Sequence, residues 1–333
     1  MNNEQTNNFL SDSLQELEIK LDEPWGELFS TCPATLYHYT DTNGLYGIID
    51  SGKIWATNIK YLNDASEITY AQQLVADTLK NLINNESDET VQNFLQIQLK
   101  HYIGEEEIPH IYVACLCEKS NLLSQWRTYG AEGSGFALGI DARLFLGEHS
   151  RGEPRTFVLR PVIYDEGKQR VLVEREITSV IALLKETMSR GIVVKGTISG
   201  HKFSNFLRDR LNDLLYCFKH KAFETENEWR FVSVEETIEK YVYQHLLNTV
   251  FAVERKIPIK FRRSAKMLIP YIELDITSKV GNYGGRIPLV TVAVGPTRHP
   301  LLGRASLNMF LRSKDYDPDL FTMIETSNIP LRV

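Results

Sequence analysis

Three clusters place side chains of reactive type close together: His38-Tyr39-Thr40, the run Ser124-Gln125-Trp126-Arg127 with Tyr129, and Glu224, Glu226 and Glu228 ahead of Trp229-Arg230. An imidazole, a hydroxyl, a guanidinium and a carboxylate are the groups that move protons, hold ribose hydroxyls and bind phosphate. If residues 224–231 form a strand, alternation puts the three glutamates on one face and Trp229 and Phe231 on the other. Carboxylates so placed repel one another unless solvated, paired with a cation or shifted in pKa. A strand lining a cleft accounts for them; an exposed edge guarded against aggregation is the plainer account.

Two common chemistries do not fit. A Ser/His/Asp hydrolase needs a nucleophile elbow of the GxSxG type, and Ser124 in Leu122-Leu123-Ser124-Gln125-Trp126 is not one. Zinc needs grouped His or Cys ligands; the His residues are scattered, and Cys32, Cys115, Cys117 and Cys217 form no CxxC pair. No metal is expected. Each candidate also has a structural reading: a His beside a Tyr in a strand is often a satisfied semi-buried group, Trp126 and Trp229 suit packing, and Arg230 pairs most simply with an acid.

The elements that must position these clusters follow from periodicity. Residues 36–39 read as a strand, Thr40 and Asp41 can cap a helix whose inner face is Leu45, Ile48 and Ile49, Gly52 ends it, and residues 54–57 form a second strand. His38 and Tyr39 then lie at the end of the first strand. Asp64 and Glu67 are spaced as a capping box before a helix carrying Ile68, Ala71, Val75 and Leu79, with cleft lining beside His38 as the functional alternative. A helix is expected over 89–101 and a buried strand over 111–116. Gly130, Gly133 and Gly135 release the chain into a strand over 136–140, but they lie on the wrong side of a helix for a Rossmann phosphate loop.

Downstream, a strand over 157–164 is interrupted by Pro161, and helices cover 169–190 and 202–223, with Lys219, His220 and Lys221 suited to the C-terminus of the second. Short strands are expected near 259–262, 289–294 and 321–324, a helix or strand over 265–274, and a helix over 301–312. At the N-terminus, a frayed polar start is followed by a short amphipathic helix around Leu14, Leu17 and Leu21 that stops before Pro24. These elements make one α+β domain over 35–333, with helical insertions near 64–101 and 167–223 and an N-terminal extension over 1–34.

With 43% hydrophobic and 24% charged residues in 333, the chain has an ordinary globular balance. A net charge of −6 argues against a broad basic surface for unspecific nucleic-acid binding and leaves room for a local basic groove. No apolar run approaches transmembrane length and the polar start lacks the parts of a signal peptide, so the expected location is cytoplasmic with no membrane partner.

The trio of first-strand His, middle hydroxyl and late Glu resembles the ADP-ribosyltransferase superfamily. The likeness is carried by LYHYTDTNGLYGIIDSGKIWAT, similar to openings of the HxT, helix, Ile-x-x-G type, and by Glu226-Asn227-Glu228, similar to the ExE of the arginine-modifying branch. Nearly the whole chain also resembles a bacterial family of unknown function through HYT, Asn63-Asp64-x-x-Glu67, Ser124-x-Trp126-x-x-Tyr129, Glu226-x-Glu228-Trp229-Arg230, the late VGP and SNIPLR.

The resemblance implies a mixed, largely antiparallel sheet and NAD as co-substrate. Glu228 would stabilise an oxocarbenium-like transition state, Glu226 would orient or deprotonate the acceptor, and His38 would hold a ribose hydroxyl. Tyr39 or Tyr129 would stack on the nicotinamide and Arg127 would meet the pyrophosphate, with Thr40 and Ser124 also at the NAD site. Ser-Gln-Trp stands where the superfamily has Ser-Thr-Ser, which leaves the second slot open.

The implied function is ADP-ribosyl transfer to a nucleic acid or protein acceptor, or NAD glycohydrolysis, in a toxin or antiphage defence effector. The alternative is a non-catalytic module that binds a nucleotide or a partner. A phosphate-transferring relative acting on RNA would want a more basic cleft.

Overall fold

A computed structural model describes residues 3–62, 66–103, 110–130, 134–146, 156–192, 198–234, 257–264, 267–317 and 322–330. In chain order the elements begin with α1 (Asn3–Ser30), β1 (Thr35–Thr40), α2 (Thr42–Ser51), β2 (Lys53–Asn58), α3 (Ser66–Asn85) and α4 (Glu89–Ile103). Next come β3 (Ile111–Cys117), α5 (Leu123–Thr128), β4 (Phe136–Asp141), β5 (Val158–Pro161), α6 (Glu166–Ser189) and α7 (Ile198–Leu215). The chain continues with β6 (Glu228–Val234), β7 (Lys260–Arg263), β8 (Leu268–Asp275), β9 (Leu289–Val294), α8 (Pro300–Ser313) and β10 (Met323–Thr326). The fold is mixed α+β, with a mostly antiparallel sheet.

The chain divides into two compact units. One is helical and is assembled from Met1–Ser30, Asn63–Pro109 and Val162–Phe223, so the N-terminal segment and both expected insertions build it together. Here α1 continues through Pro24, correcting the helix expected to stop before it. Proline lacks the N–H that would bond the carbonyl of Lys20. Arg175 of α6 donates to that carbonyl at 2.5 Å, so the orphaned acceptor is satisfied from a neighbouring helix.

The same unit holds buried ion pairs. Arg210 donates Nε and Nη2 to the two oxygens of Glu176, each at 2.9 Å, and Nη1 to Asp22 at 2.6 Å. Glu67 lies in the first turn of α3, as expected of a helix start, and is buried there in a pair with Lys219 at 2.9 Å. Asp64 lies outside the described residues. The second long helix ends at Leu215, short of the expected Phe223. Ile163 donates to the carbonyl of Cys217 and accepts from Lys219, which draws residues 217–219 into a bridge with 163.

The second unit, Thr31–Leu62, His110–Pro161 and Glu224–Val333, contains all the described strands. Strand order is β10-β9-β4-β1-β3-β2-β8-β7, with β6 on β3 and β5 on β6. The opening stretch folds as its sequence implies: Asp41 accepts from Gly44 N–H at 2.7 Å, Leu45, Ile48 and Ile49 are buried, and Gly52 at φ 70° ends α2. Residues 265–274 resolve into strand from Leu268, and β10 begins at Met323; Ala265 and Phe321 lie outside the described residues.

β3 has three partners. Along its whole length one edge pairs with β6, from Ile111↔Val234 to Cys117↔Glu228. The other edge forks, meeting β2 at Tyr112 and Val113 and β1 only at Cys117. Between the two lies the carbonyl of Cys115, which receives Nδ1 of His38 at 2.9 Å.

Candidate functional site

Register decides which candidates can meet. Tyr37 opposes Cys117, and Cys117 opposes Glu228, so these three side chains share a sheet face in a row across β1, β3 and β6. Tyr39, Ala137 and Ala293 follow on the same face, and Glu325 on β10 pairs with Ala293 there. His38, Leu138, Trp229 and Phe231 fall on the opposite face. Pleat parity therefore separates His38 from Glu228. The His38 ring sits at the fork, and its transfer from water to a buried setting lowers its pKa despite the hydrogen bond to Cys115. With Nδ1 donating to a carbonyl, the neutral ring presents Nε2 as an acceptor.

The glutamate cluster differs from the sequence expectation. Glu224 and Glu226 lie in a 3-10 turn over Lys221–Glu226, and Asn227 takes the left-handed region at φ 44°. The strand starts at Glu228, so Glu226 and Glu228 are not alternate residues of one strand. Asn tolerates this backbone better than most residues. The carbonyl of Glu226 accepts the Cys117 thiol at 3.1 Å.

Glu228 is buried and engaged. Arg230, two residues along on the same face, donates Nε to Oε1 at 2.7 Å and Nη2 to Oε2 at 3.0 Å. Both side chains are nearly inaccessible, at 1% for Arg230 and 6% for Glu228. A charge-assisted bidentate pair of this kind neutralises the carboxylate and uses both oxygens. Trp229, on the opposite face, donates its indole N–H to Glu118 at 3.0 Å.

The middle cluster packs through Trp126, which is fully buried, meets Tyr39 edge to face at 4.7 Å and donates Nε1 to Asn121 at 2.9 Å. Ser124, Arg127 and Tyr129 are exposed on and just beyond the short α5. The Tyr39 hydroxyl donates to the carbonyl of Lys119 at 2.8 Å and accepts from Leu122 N–H at 3.0 Å. Thr40 lies against the first turn of α2, where a Cβ on Gly44 would come within 1.9 Å of its hydroxyl. Gly133 lies outside the described residues.

What sequence reading missed is an open cavity of about 430 Å³ at the carboxyl ends of β9 and β10, lined by the polar Ser120, Asn121, Arg304, Glu325, Thr326, Ser327 and Asn328 and the apolar Ala293 and Ile324. β9 and β10 are the one parallel pair among the described strands and are joined through α8. Ser120 Oγ donates to Glu325 Oε2 at 3.2 Å, and Asn121 Oδ1 accepts from Ser327 at 2.6 Å while its Nδ2 donates to Asn328 at 3.0 Å. Burial and the charge of Glu325 raise the Tyr37 phenol pKa, against a hydrogen bond with Ser120 that lowers it. Tyr37 thus stands between the cavity and the Glu228 pair. The only sequence signal was that Tyr37 and Tyr39 flank His38 in a period of two.

Residues 125–231 match a family described as Protein of unknown function (DUF2971). The match begins in α5 and ends in β6, so it takes in Trp126 and the Glu228-Trp229-Arg230 run and leaves out His38, Arg304 and Glu325. No curated protein and no solved structure matches the chain. Among the described residues no helix is long and apolar enough to cross a membrane, and no cluster of three potential metal ligands occurs.

Proposed function

We propose that the sheet-bearing unit is a nucleotide-binding module whose ligand, NAD foremost, occupies the cavity beside Tyr37. The cavity carries this reading: its volume of about 430 Å³ suits a small ligand, and hydroxyl, amide, carboxylate and guanidinium groups line it beside the apolar Ala293 and Ile324. Glu325 keeps Oε1 without a hydrogen-bond partner among the described residues and is suited to accept from a ribose hydroxyl. Arg304, exposed and without an ion-pair partner among the described residues, is suited to a phosphate. The engagement of Glu228 by Arg230 favours binding without NAD cleavage, because a carboxylate that stabilises an oxocarbenium ion needs an oxygen free to face it.

ADP-ribosyl transfer to a protein or nucleic acid is the second reading, favoured by Glu228 sharing a sheet face with Tyr37 and Glu325. That mechanism requires Arg230 to release at least one Glu228 oxygen when NAD binds. Calorimetric titration with NAD and with ADP-ribose tests the binding claim. Arg304→Ala and Glu325→Gln each weaken binding about tenfold, whereas absent binding, or variants that bind as the parent does, contradict it.

A further inference from the structure

The far wing of the same unit, built from β2, β8 and β7, carries an aromatic and basic face that the cavity does not use. Trp55 is 51% exposed and stacks on Tyr271 with ring centroids 4.4 Å apart and 29° between planes. Pairing of Trp55 with Glu273, Thr57 with Tyr271 and Lys260 with Tyr271 puts Lys53, Trp55, Tyr271, Lys260 and Arg262 on one face. Thr57 also opposes Val113, so this is the face that carries Tyr37 and Glu228.

Two acids share the surface. Glu273 is bridged by Lys260 at 2.8 Å and Lys53 at 3.6 Å, and Asp275 accepts from Thr277, so the face keeps a positive excess. β7 ends the strand order, and its four residues, Lys260, Phe261, Arg262 and Arg263, are all exposed.

Cations on an edge strand also guard against aggregation. That role does not explain a half-exposed indole on the same face, two strands inward from Arg262. Aromatic rings that stack bases beside cations that follow a phosphate backbone are the means by which proteins hold single strands. We propose that this face binds single-stranded nucleic acid, with Trp55 stacking a base and Lys260 and Arg262 meeting the flanking phosphates. A duplex hides its base faces and offers Trp55 nothing to stack on.

The test is fluorescence anisotropy of labelled oligouridylate and oligothymidylate with the full chain, beside a duplex of equal length and heparin. The parent protein binds the single strands more tightly than either control, and affinity falls with salt. Trp55→Ala weakens binding roughly tenfold while Trp55→Phe retains most of it. Arg262→Glu, at an exposed position that leaves folding intact by circular dichroism, weakens binding and lowers the salt slope. No binding by the parent, equal affinity for duplex or heparin, or an unchanged Trp55→Ala variant overturns the proposal.

Discussion

Arg230 holds both carboxylate oxygens of Glu228 from two residues along the same strand, and neither side chain is open to water. Removing the cation strands a buried anion, a loss on the order of 3–5 kcal/mol. Arg230→Ala is therefore expected to lower unfolding free energy in urea by about that amount. Replacing both residues with apolar ones of similar size restores most of it. A double-mutant cycle with no coupling would remove the pair from the account.

Gly139 lies beneath Tyr37. A Cβ there would come within 2.4 Å of Thr291 Cγ2 and 2.8 Å of the Tyr37 ring, both too close for any real contact. Gly139→Ala is expected to cost about 1–3 kcal/mol and to weaken nucleotide binding by displacing Tyr37. Denaturation and calorimetry on the same variant check both effects.

His38 is held neutral in the folded state, its pKa lowered from the ordinary 6.5 chiefly by desolvation. Below 6.5 the unfolded chain gains a proton that the folded chain resists. The stability linked to this group is complete above 6.5 and declines as pH falls through that value towards the folded pKa. His38→Gln, which keeps a donor for the Cys115 carbonyl, flattens that decline. Parallel slopes for parent and variant between pH ~5 and ~8 would contradict it.

Pro24 and Arg175 act as a compensating couple. Arg175→Ala leaves the Lys20 carbonyl without its donor and is expected to destabilise by roughly 1 kcal/mol. In a Pro24→Ala background the helix supplies its own N–H, so the same change costs less. Additive effects of the two substitutions in urea denaturation would contradict the couple.

Local rules expressed in a few residues were legible in advance. Asp41 and Gly52 bracket α2 because a cap and a left-handed stop need only neighbouring atoms. The apolar run at 111–116 reads as a central strand because a strand buried on both faces needs apolar residues throughout, and β3 covers it. What required the fold was long-range. The donor from Arg175 to the Lys20 carbonyl comes from a helix some 150 residues away in sequence. The alternation of Glu224, Glu226 and Glu228 was broken by a 3-10 turn over Lys221–Glu226 followed by a left-handed Asn227. The cavity joins Ser120 to Glu325, and parity separates His38 from Glu228, through strand registers that no single segment encodes.

The most direct test of the nucleotide-binding account is to saturate the purified chain with NAD, measure the bound fraction by calorimetry, and quantify free nicotinamide in the same sample. The account predicts bound NAD and no nicotinamide above the protein-free control. Nicotinamide release that disappears in Glu228→Ala, or no NAD binding by folded protein, would contradict it.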